Sequence, residues 1–292
     1  MSAQPSHQIQ MFNDLKQGSH EWHALRKTKI TATDAPIIMG VSHWKTKIQL
    51  YHEKMSSTQL HYINERMQRG IDLEPIARDL FILQTGIQVE PKVVVKDWAM
   101  ASLDGISNLG TCVVEIKCPG EKDHAIALSG KVPDHYYPQL QHQMYVCDVF
   151  KIFYFSFDGV DGVVVEVERD DEYIEKMIEE EFKFYQCLIN KTPPEPSEDD
   201  YIQREDELWQ ECASDWLSVS SQIKTLEKEE EQLRKQLIFL SGQHNTKGSG
   251  ISLCQVNRKG NVDYAKIPEL KGVDLEKYRK GSISTWRITC SS

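Results

Sequence analysis

The segment from Lys191 to Asp200 constrains the fold most strongly, because it divides the chain into two parts of different pattern. It reads KTPPEPSEDD, with three prolines in four positions followed by acidic residues. Such a composition is typical of an exposed connector. The sequence therefore predicts a first domain over residues 1–192, a linker over residues 193–200 and a separate C-terminal region.

Strand-type and helix-type segments alternate within the first part. Apolar residues at helical spacing predict helices over residues 21–26, 34–39, 75–85, 136–146 and 172–189. Runs rich in β-branched and aromatic residues predict strands over 93–95, 99–103, 111–117, 152–157 and 163–167. In helix 75–85 the expected buried residues are Ile76, Ala77, Leu80, Phe81 and Leu83. This order predicts an α/β (α+β) fold with a central mixed sheet flanked by helices.

A heptad pattern dominates the second part. From Trp209 to Leu240, ten positions step alternately by three and four residues, and Glu230 is the one that is not apolar. The pattern predicts a long helix over residues 201–243, either in coiled-coil geometry or docked on its own domain. Residues 244–292 carry nine basic and four acidic side chains and strand-like runs at 251–257 and 286–290, which predicts a small basic β-containing segment.

Composition excludes several classes of protein. The seven cysteines form no CxxC motif, which argues against a disulfide framework, a zinc ribbon and a cysteine-bound iron–sulfur cluster. No apolar run approaches the roughly 18 residues of a membrane span, and the first residues lack a signal-peptide core. A net charge of −10 argues against a protein that only coats nucleic acid. We therefore expect a cytoplasmic protein without a membrane partner.

Two short motifs bring acidic and basic side chains together. Asp104 precedes a glycine and is separated from Glu115 by ten residues, a spacing that fits a hairpin. Because alternate residues of a strand face the same side, Glu115 and Lys117 should project together while Ile116 points into the core. An acid and a base on one face of an apolar strand are costly to bury unless they serve a site there.

The chemistry of these residues suits a divalent cation. The carboxylates of Asp104 and Glu115 and the carbonyl of Ile116 are hard oxygen ligands of the kind that Mg²⁺ takes, and Mg²⁺ keeps several waters. Lys117 could then orient a water or neutralise charge on a phosphate. The same spacing also fits an ordinary turn Asp and a surface Glu–Lys pair, and the residues alone leave both readings open.

Five segments taken in order resemble the PD-(D/E)XK nuclease core, and in particular the lambda-type exonuclease or YqaJ-like viral recombinase family. They are EWHALR leading to ITAT at 21–33, RGIDLEPIAR at 69–78, SLDG at 102–105, EIKCP at 115–119 and YYPQLQ at 136–141. The resemblance covers about residues 15–190. It departs from the family at Leu103, where a proline is usual, and at Thr28, where a glycine is usual; the second departure concerns the phosphate pocket.

The resemblance implies a role for each matched residue. It places the metal ligands at Glu74, Asp104, Glu115 and the Ile116 carbonyl, the catalytic residues at Asp104, Glu115, Lys117 and Gln139, and the 5′-phosphate contacts at Arg26, Thr31 and Thr33. Without the family, Glu74 would be an exposed residue of a first helical turn, and Gln139 would face solvent.

The resemblance also implies an activity. It points to a Mg²⁺-dependent exonuclease, for which Mn²⁺ could substitute, that degrades double-stranded DNA with free ends from 5′ to 3′. The 3′ single-stranded overhangs would serve a single-strand annealing protein in recombination, and the assembly would be a homotrimer. Two rivals stand beside it: a structure- or site-specific endonuclease with the same core, and a non-catalytic adaptor that acts through the heptad helix.

Overall fold

The computed structural model describes residues 9–12, 14–56 and 65–256, and beyond these residues 260, 262, 266–270, 273 and 278. The chain separates into two compact units, which divide between Tyr201 and Ile202.

The first unit alternates strands and helices, close to the predicted order. Its strands are β1 Ile9–Phe12, β2 Ile30–Thr31, β3 Glu90–Lys96, β4 Ala99–Ile106, β5 Val113–Lys117, β6 Lys151–Phe157 and β7 Gly162–Glu168. Its helices are α1 His20–Thr28, α2 Ala35–Ile38, α3 Lys47–Met55, α4 Glu65–Thr85, α5 Glu121–Leu128, α6 Tyr137–Cys147 and α7 Asp171–Asn190.

The seven strands form one mixed sheet in the order β1-β3-β4-β5-β6-β7, with β2 paired to β4. β5 and β6 run parallel, and the two helices α5 and α6 connect them. β3, β4 and β5 are antiparallel neighbours, so the expected hairpin between Asp104 and Glu115 forms. The predicted mixed sheet flanked by helices is confirmed.

The core lies on both faces of this sheet. On one face, Leu103 and Val113 pack with Leu140 and Met144 of α6. On the other face, Val114 and Ile116 pack with α4 and with the aromatic residues of β6. Because β5 alternates between the two faces, the face that carries Glu115 and Lys117 is the one covered by α6.

The buried face of α4 differs in part from the prediction. Ala77 and Phe81 are fully buried, as expected, but Ile76 is 56% and Leu83 is 81% exposed. A helix turns 100° per residue, so a face centred on Ala77 and Phe81 leaves Ile76 and Leu83 outside it. The predicted burial of Ile76 and Leu83 was wrong.

The second unit contains the long helix α8 Glu207–Leu240, followed by a hairpin of β8 Thr246–Gly248 and β9 Ile251–Leu253. Asp206 caps the helix by accepting a hydrogen bond from the backbone of Trp209. Every residue of α8 is at least partly exposed.

The strand predicted at 286–290 lies outside the described residues. Coiled-coil pairing of α8 stays a prediction. In the described ranges, no helix is long and apolar enough to cross a membrane.

Candidate active site

The β4–β5 hairpin brings Asp104 beside Glu115. Gly105 pairs with Val114 in the antiparallel register, and the backbone N–H of Ile116 donates to Asp104 Oδ2 at 2.8 Å. A side chain at Gly105 would collide with Val114, since a Cβ there would lie 2.6 Å from its Cγ1. Glycine is therefore needed where the two strands meet, and Asp104 precedes it at the point of closest packing.

Three donors hold the Glu115 carboxylate, which is 2% exposed. Lys117 Nζ and Gln139 Nε2 each donate to Glu115 Oε1 at 2.5 Å, and Gln143 Nε2 donates to Oε2 at 2.5 Å. Gln139 and Gln143 are one turn apart on α6, so one face of that helix supplies both amides. The two amides fix the orientation of Glu115, and Gln139 is buried instead of facing solvent.

Burial and the neighbouring charges set the electrostatics of the site. Burial and the carboxylates of Glu115 and Glu74 raise the pKa of Asp104 well above its usual range. Burial and the Glu115 charge also raise the pKa of Glu74, although Arg78 opposes this. Burial disfavours the ammonium of Lys117, but Glu115 and Asp104 more than compensate and raise its pKa. The site therefore has an excess of negative charge that a cation would relieve.

The donor set fits a Mg²⁺ ion. Asp104, Glu115 and the Ile116 carbonyl supply only hard oxygen atoms. Burial, together with the neighbouring carboxylates, raises the pKa of Asp104, and a cation would stabilise its ionised form. In the part of the chain that the structure describes, no group of three or more His, Cys, Asp or Glu side chains is arranged to hold a metal ion.

Glu74 lies at the edge of this cluster on α4. Its carboxylate forms an ion pair with Arg78, one turn further along the helix. Arg78 Nε also donates to the backbone carbonyl of Asp104 at 2.6 Å, so it ties α4 to β4 at the site. Glu74 is close enough to affect the pKa of Asp104. Its role as a metal ligand stays a prediction.

The three residues expected to bind a terminal phosphate lie together. Arg26 Nη2 donates to Thr33 Oγ1 at 3.0 Å, and the hydroxyls of Thr31 and Thr33 are 3.1 Å apart. The Arg26 guanidinium lies 4.5 Å from the centre of the Trp22 ring. Trp22 Nε1 in turn donates to Ser102 Oγ at 2.8 Å, which links this group to β4 two residues before Asp104.

A buried ion pair fixes the backbone around this group. Lys54 Nζ lies 2.7 Å from Asp34 Oδ2, and both side chains are nearly inaccessible. Asp34 also accepts a hydrogen bond from the backbone of Thr31, and Lys54 donates to the carbonyls of Arg26 and Lys29. Burial raises the pKa of Asp34, but the charges of Lys54 and Arg26 outweigh it and lower the pKa.

Sequence reasoning missed two polar residues of the site. The predicted site does not include Gln143, and Arg78 enters the sequence analysis only as the last residue of the RGIDLEPIAR motif. The signal for Gln143 is its spacing of four from Gln139, which places both on one helix face. His142, on the same helix, is buried and bonded to Glu181 and to the Met100 carbonyl.

The paired strands β4 and β5, which bring Asp104 beside Glu115 with Lys117 two residues further on, define the PD-(D/E)XK class of nuclease folds. Within that class, residues 21–149 match the model of the YqaJ-like viral recombinase domain.

Relatives of known sequence or structure agree with this assignment. The protein YqaJ of Bacillus subtilis (strain 168) is 26% identical over 174 residues, which are 56% of this chain and 54% of the relative. The chain therefore matches about half the length of that protein. The crystal structure of the alkaline exonuclease LHK-Exo from Laribacter hongkongensis is 28% identical, with a TM-score of 0.51, over 60% of this chain and 94% of that one. Its complex with dAMP gives a TM-score of 0.52.

Proposed function

We propose that the chain is a Mg²⁺-dependent exonuclease that degrades one strand of linear duplex DNA from its 5′ end. The observation that carries the proposal is the cluster of Asp104, Glu115 and Lys117, held by the β4–β5 hairpin and by α6. The similarity to LHK-Exo, an alkaline exonuclease crystallised with dAMP, supports the choice of DNA as substrate. A deoxynucleoside monophosphate is the product expected of an exonuclease.

Each residue has a part in this reaction. Asp104, Glu115 and the Ile116 carbonyl would hold the ion, with Glu74 as the further acidic residue. A bound Mg²⁺ supplies Lewis acidity at the scissile phosphate and lowers the pKa of a water. Lys117 donates hydrogen bonds and carries a positive charge, which stabilises the charge that develops on the phosphate. Gln139 keeps the Glu115 carboxylate in one orientation.

The product would be a duplex with 3′ single-stranded overhangs, which are substrates for strand annealing. We therefore propose that a single-strand annealing protein is the partner in recombination and that the assembly is a homotrimer. Mn²⁺ should replace Mg²⁺, because both take oxygen ligands. A ring of three chains would enclose the duplex and keep an acidic protein on DNA without a basic exterior.

Linear and closed circular duplex of the same sequence distinguish this function from its rivals. We expect Mg²⁺-dependent release of mononucleotides from 5′-phosphorylated linear DNA, and intact circles under the same conditions. The measurement is the acid-soluble product over time, with the fragment pattern on a denaturing gel. Cleavage of circles at the same rate would instead favour the endonuclease, and absence of cleavage from both substrates would favour the non-catalytic adaptor.

Substitution of Arg26 should slow digestion of 5′-phosphorylated ends. The guanidinium can donate to two phosphate oxygens, with Thr31 and Thr33 as hydroxyl partners. Loss of a charge-assisted hydrogen bond costs about 1.5–3 kcal/mol. This corresponds to a rate reduced about ten- to hundred-fold in Arg26→Ala, with partial recovery in Arg26→Lys.

The preference for the end group is measured by comparing digestion of duplexes that carry a 5′-phosphate with digestion of duplexes that carry a 5′-hydroxyl. The wild type should prefer the phosphate, and Arg26→Ala should lose most of that preference while its affinity for Mg²⁺ is unchanged. Arg204→Ala is the control, because Arg204 also lies over a tryptophan ring, that of Trp209 in the second unit. An Arg26→Ala variant with the full preference for phosphate ends would exclude a phosphate pocket at this position.

A further inference from the structure

An exposed tryptophan lies between α2 and α3 in the first unit. Trp44 is 67% exposed, although burial of a side chain of this size is favourable. Its ring centre lies 5.3 Å from that of His135 and 6.1 Å from that of His43, with interplanar angles of 77° and 71°. Both neighbours meet Trp44 edge to face, so they support the indole without covering it by parallel stacking.

A continuous series of ring contacts joins this tryptophan to the active site. His135 lies 4.1 Å from Tyr136, measured between ring centres. Lys117 Nζ then lies 5.3 Å from the centre of the Tyr136 ring. Burial lowers the pKa of His135, so its imidazole is neutral near pH 7 and acts as an aromatic contact. Trp44 is therefore the exposed end of a series of rings that begins at Lys117.

An open cavity adjoins the indole. Its volume is about 740 Å³, within the range of ligand-binding clefts, and Trp44, Lys45, Lys47 and Asp199 are among the residues that line it. The two lysines are paired with acidic partners, Lys45 with Glu53 and Lys47 with Glu180. Because the lysines are already paired, the exposed indole and not a free positive charge is the feature of this cavity that would bind a ligand. An indole favours a flat, apolar group.

We propose that Trp44, supported by His43 and His135, is the stacking site for an unpaired nucleobase of the DNA held at the active site. This rests on the proposed function, because it requires DNA at Lys117. Strand separation at a duplex end exposes bases whose faces need a partner. Stacking on an aromatic side chain supplies it without regard to sequence, because every base has a π-face. An enzyme that degrades a strand of any sequence needs a contact that accepts every base.

A double-mutant cycle that combines Trp44→Ala with the removal of one base isolates the contact between the indole and that base. The full chain is titrated, with EDTA present, against duplexes that carry a short frayed end, and affinity is read by fluorescence anisotropy. Each terminal position carries either a base or an abasic site. We expect Trp44→Ala to weaken binding about five- to hundred-fold, as stacking of one base does. Removal of the base at one position should have the same effect in the wild type and almost none in Trp44→Ala.

Two further variants separate stacking from other roles. Trp44→Phe should recover part of the affinity, since a smaller ring still stacks. Phe150→Ala removes another exposed aromatic side chain, 83% exposed, and should leave binding unchanged. In the wild type, 2-aminopurine at the contacted position should lose fluorescence on binding, and Trp44→Ala should abolish this quenching.

The outcomes are distinguishable. Additive effects of the abasic site and Trp44→Ala at every position would overturn the stacking site, even if the wild type digests linear DNA normally. A Trp44→Ala variant with wild-type affinity would do the same and would favour a protein partner for this surface. A wild type that neither binds nor digests linear DNA would overturn both the stacking site and the proposed function.

Discussion

Asp104→Asn, Glu115→Gln and Lys117→Ala should each reduce Mg²⁺-dependent digestion of linear duplex by about 10²–10⁴-fold, the scale for loss of a positioned charged or proton-transferring group. The substitutions to Asn and Gln keep the shape of the side chain but remove the negative charge that a cation requires. They should therefore also weaken Mg²⁺ binding, measured by isothermal titration calorimetry. Lys117→Ala should retain Mg²⁺ binding, because an ammonium is not a ligand.

The control for these variants is Glu121→Gln, which removes an exposed carboxylate at the start of α5 and should change neither activity nor metal affinity. Thermal melts of all four variants report whether the fold persists. The assignment of the site would fail if Asp104→Asn kept more than a few per cent of wild-type activity. It would also fail if Lys117→Ala lost Mg²⁺ binding together with activity.

The parts of the site that were predictable are those fixed by local geometry. The alternation of a strand places Glu115 and Lys117 on one side and Ile116 on the other, whatever the rest of the chain does. The separation of Asp104 from Glu115 requires only a hairpin, and the observed register supplies it. Arg26 and Thr33 are close in sequence and meet across one short connection between α1 and α2.

The parts that were not predictable depend on how helices pack on the sheet. A run of glutamines on α6 gives no sign of burial until the helix covers β4 and β5, and then Gln139 and Gln143 both reach Glu115. The burial of His142 was not predictable for the same reason, because its contact with Glu181 depends on how α7 packs against α6. For Ile76, the sequence indicated an apolar residue but not its angle around α4.

The buried pair of His142 and Glu181 joins α6 to α7 below the site. Neither side chain is exposed, and His142 Nδ1 lies 2.8 Å from Glu181 Oε1 while Nε2 lies 3.2 Å from the Met100 carbonyl. Burial disfavours the charged imidazole, but Glu181 and the Met100 carbonyl together raise the pKa of His142. Burial also raises the pKa of Glu181, against the opposing effect of His142.

The pKa values of His142 and Glu181 are both raised by folding, so the folded chain binds protons at these two groups more tightly than the unfolded chain does. The stabilisation from His142 is fully present below its unfolded pKa of about 6.5 and is lost as the pH rises through the raised folded value. The raised pKa of Glu181 acts in the same direction. The free energy of unfolding that comes from this pair should therefore fall as the pH rises above about 6.5, the unfolded pKa of histidine.

His142→Leu should destabilise the first unit by about 3–5 kcal/mol near pH 8, because it leaves the Glu181 carboxylate buried without a partner. The loss should shrink as the pH falls, because protonation of Glu181, whose pKa is raised by burial, removes the charge that would be left unpaired. His142→Leu combined with Glu181→Leu should recover most of the stability, since two apolar side chains replace the pair. Urea unfolding followed by near-ultraviolet circular dichroism measures these differences, with the exposed His52→Leu as the control. An equal loss at pH 5 and pH 8 would mean that lost packing, not an unpaired buried charge, sets the cost.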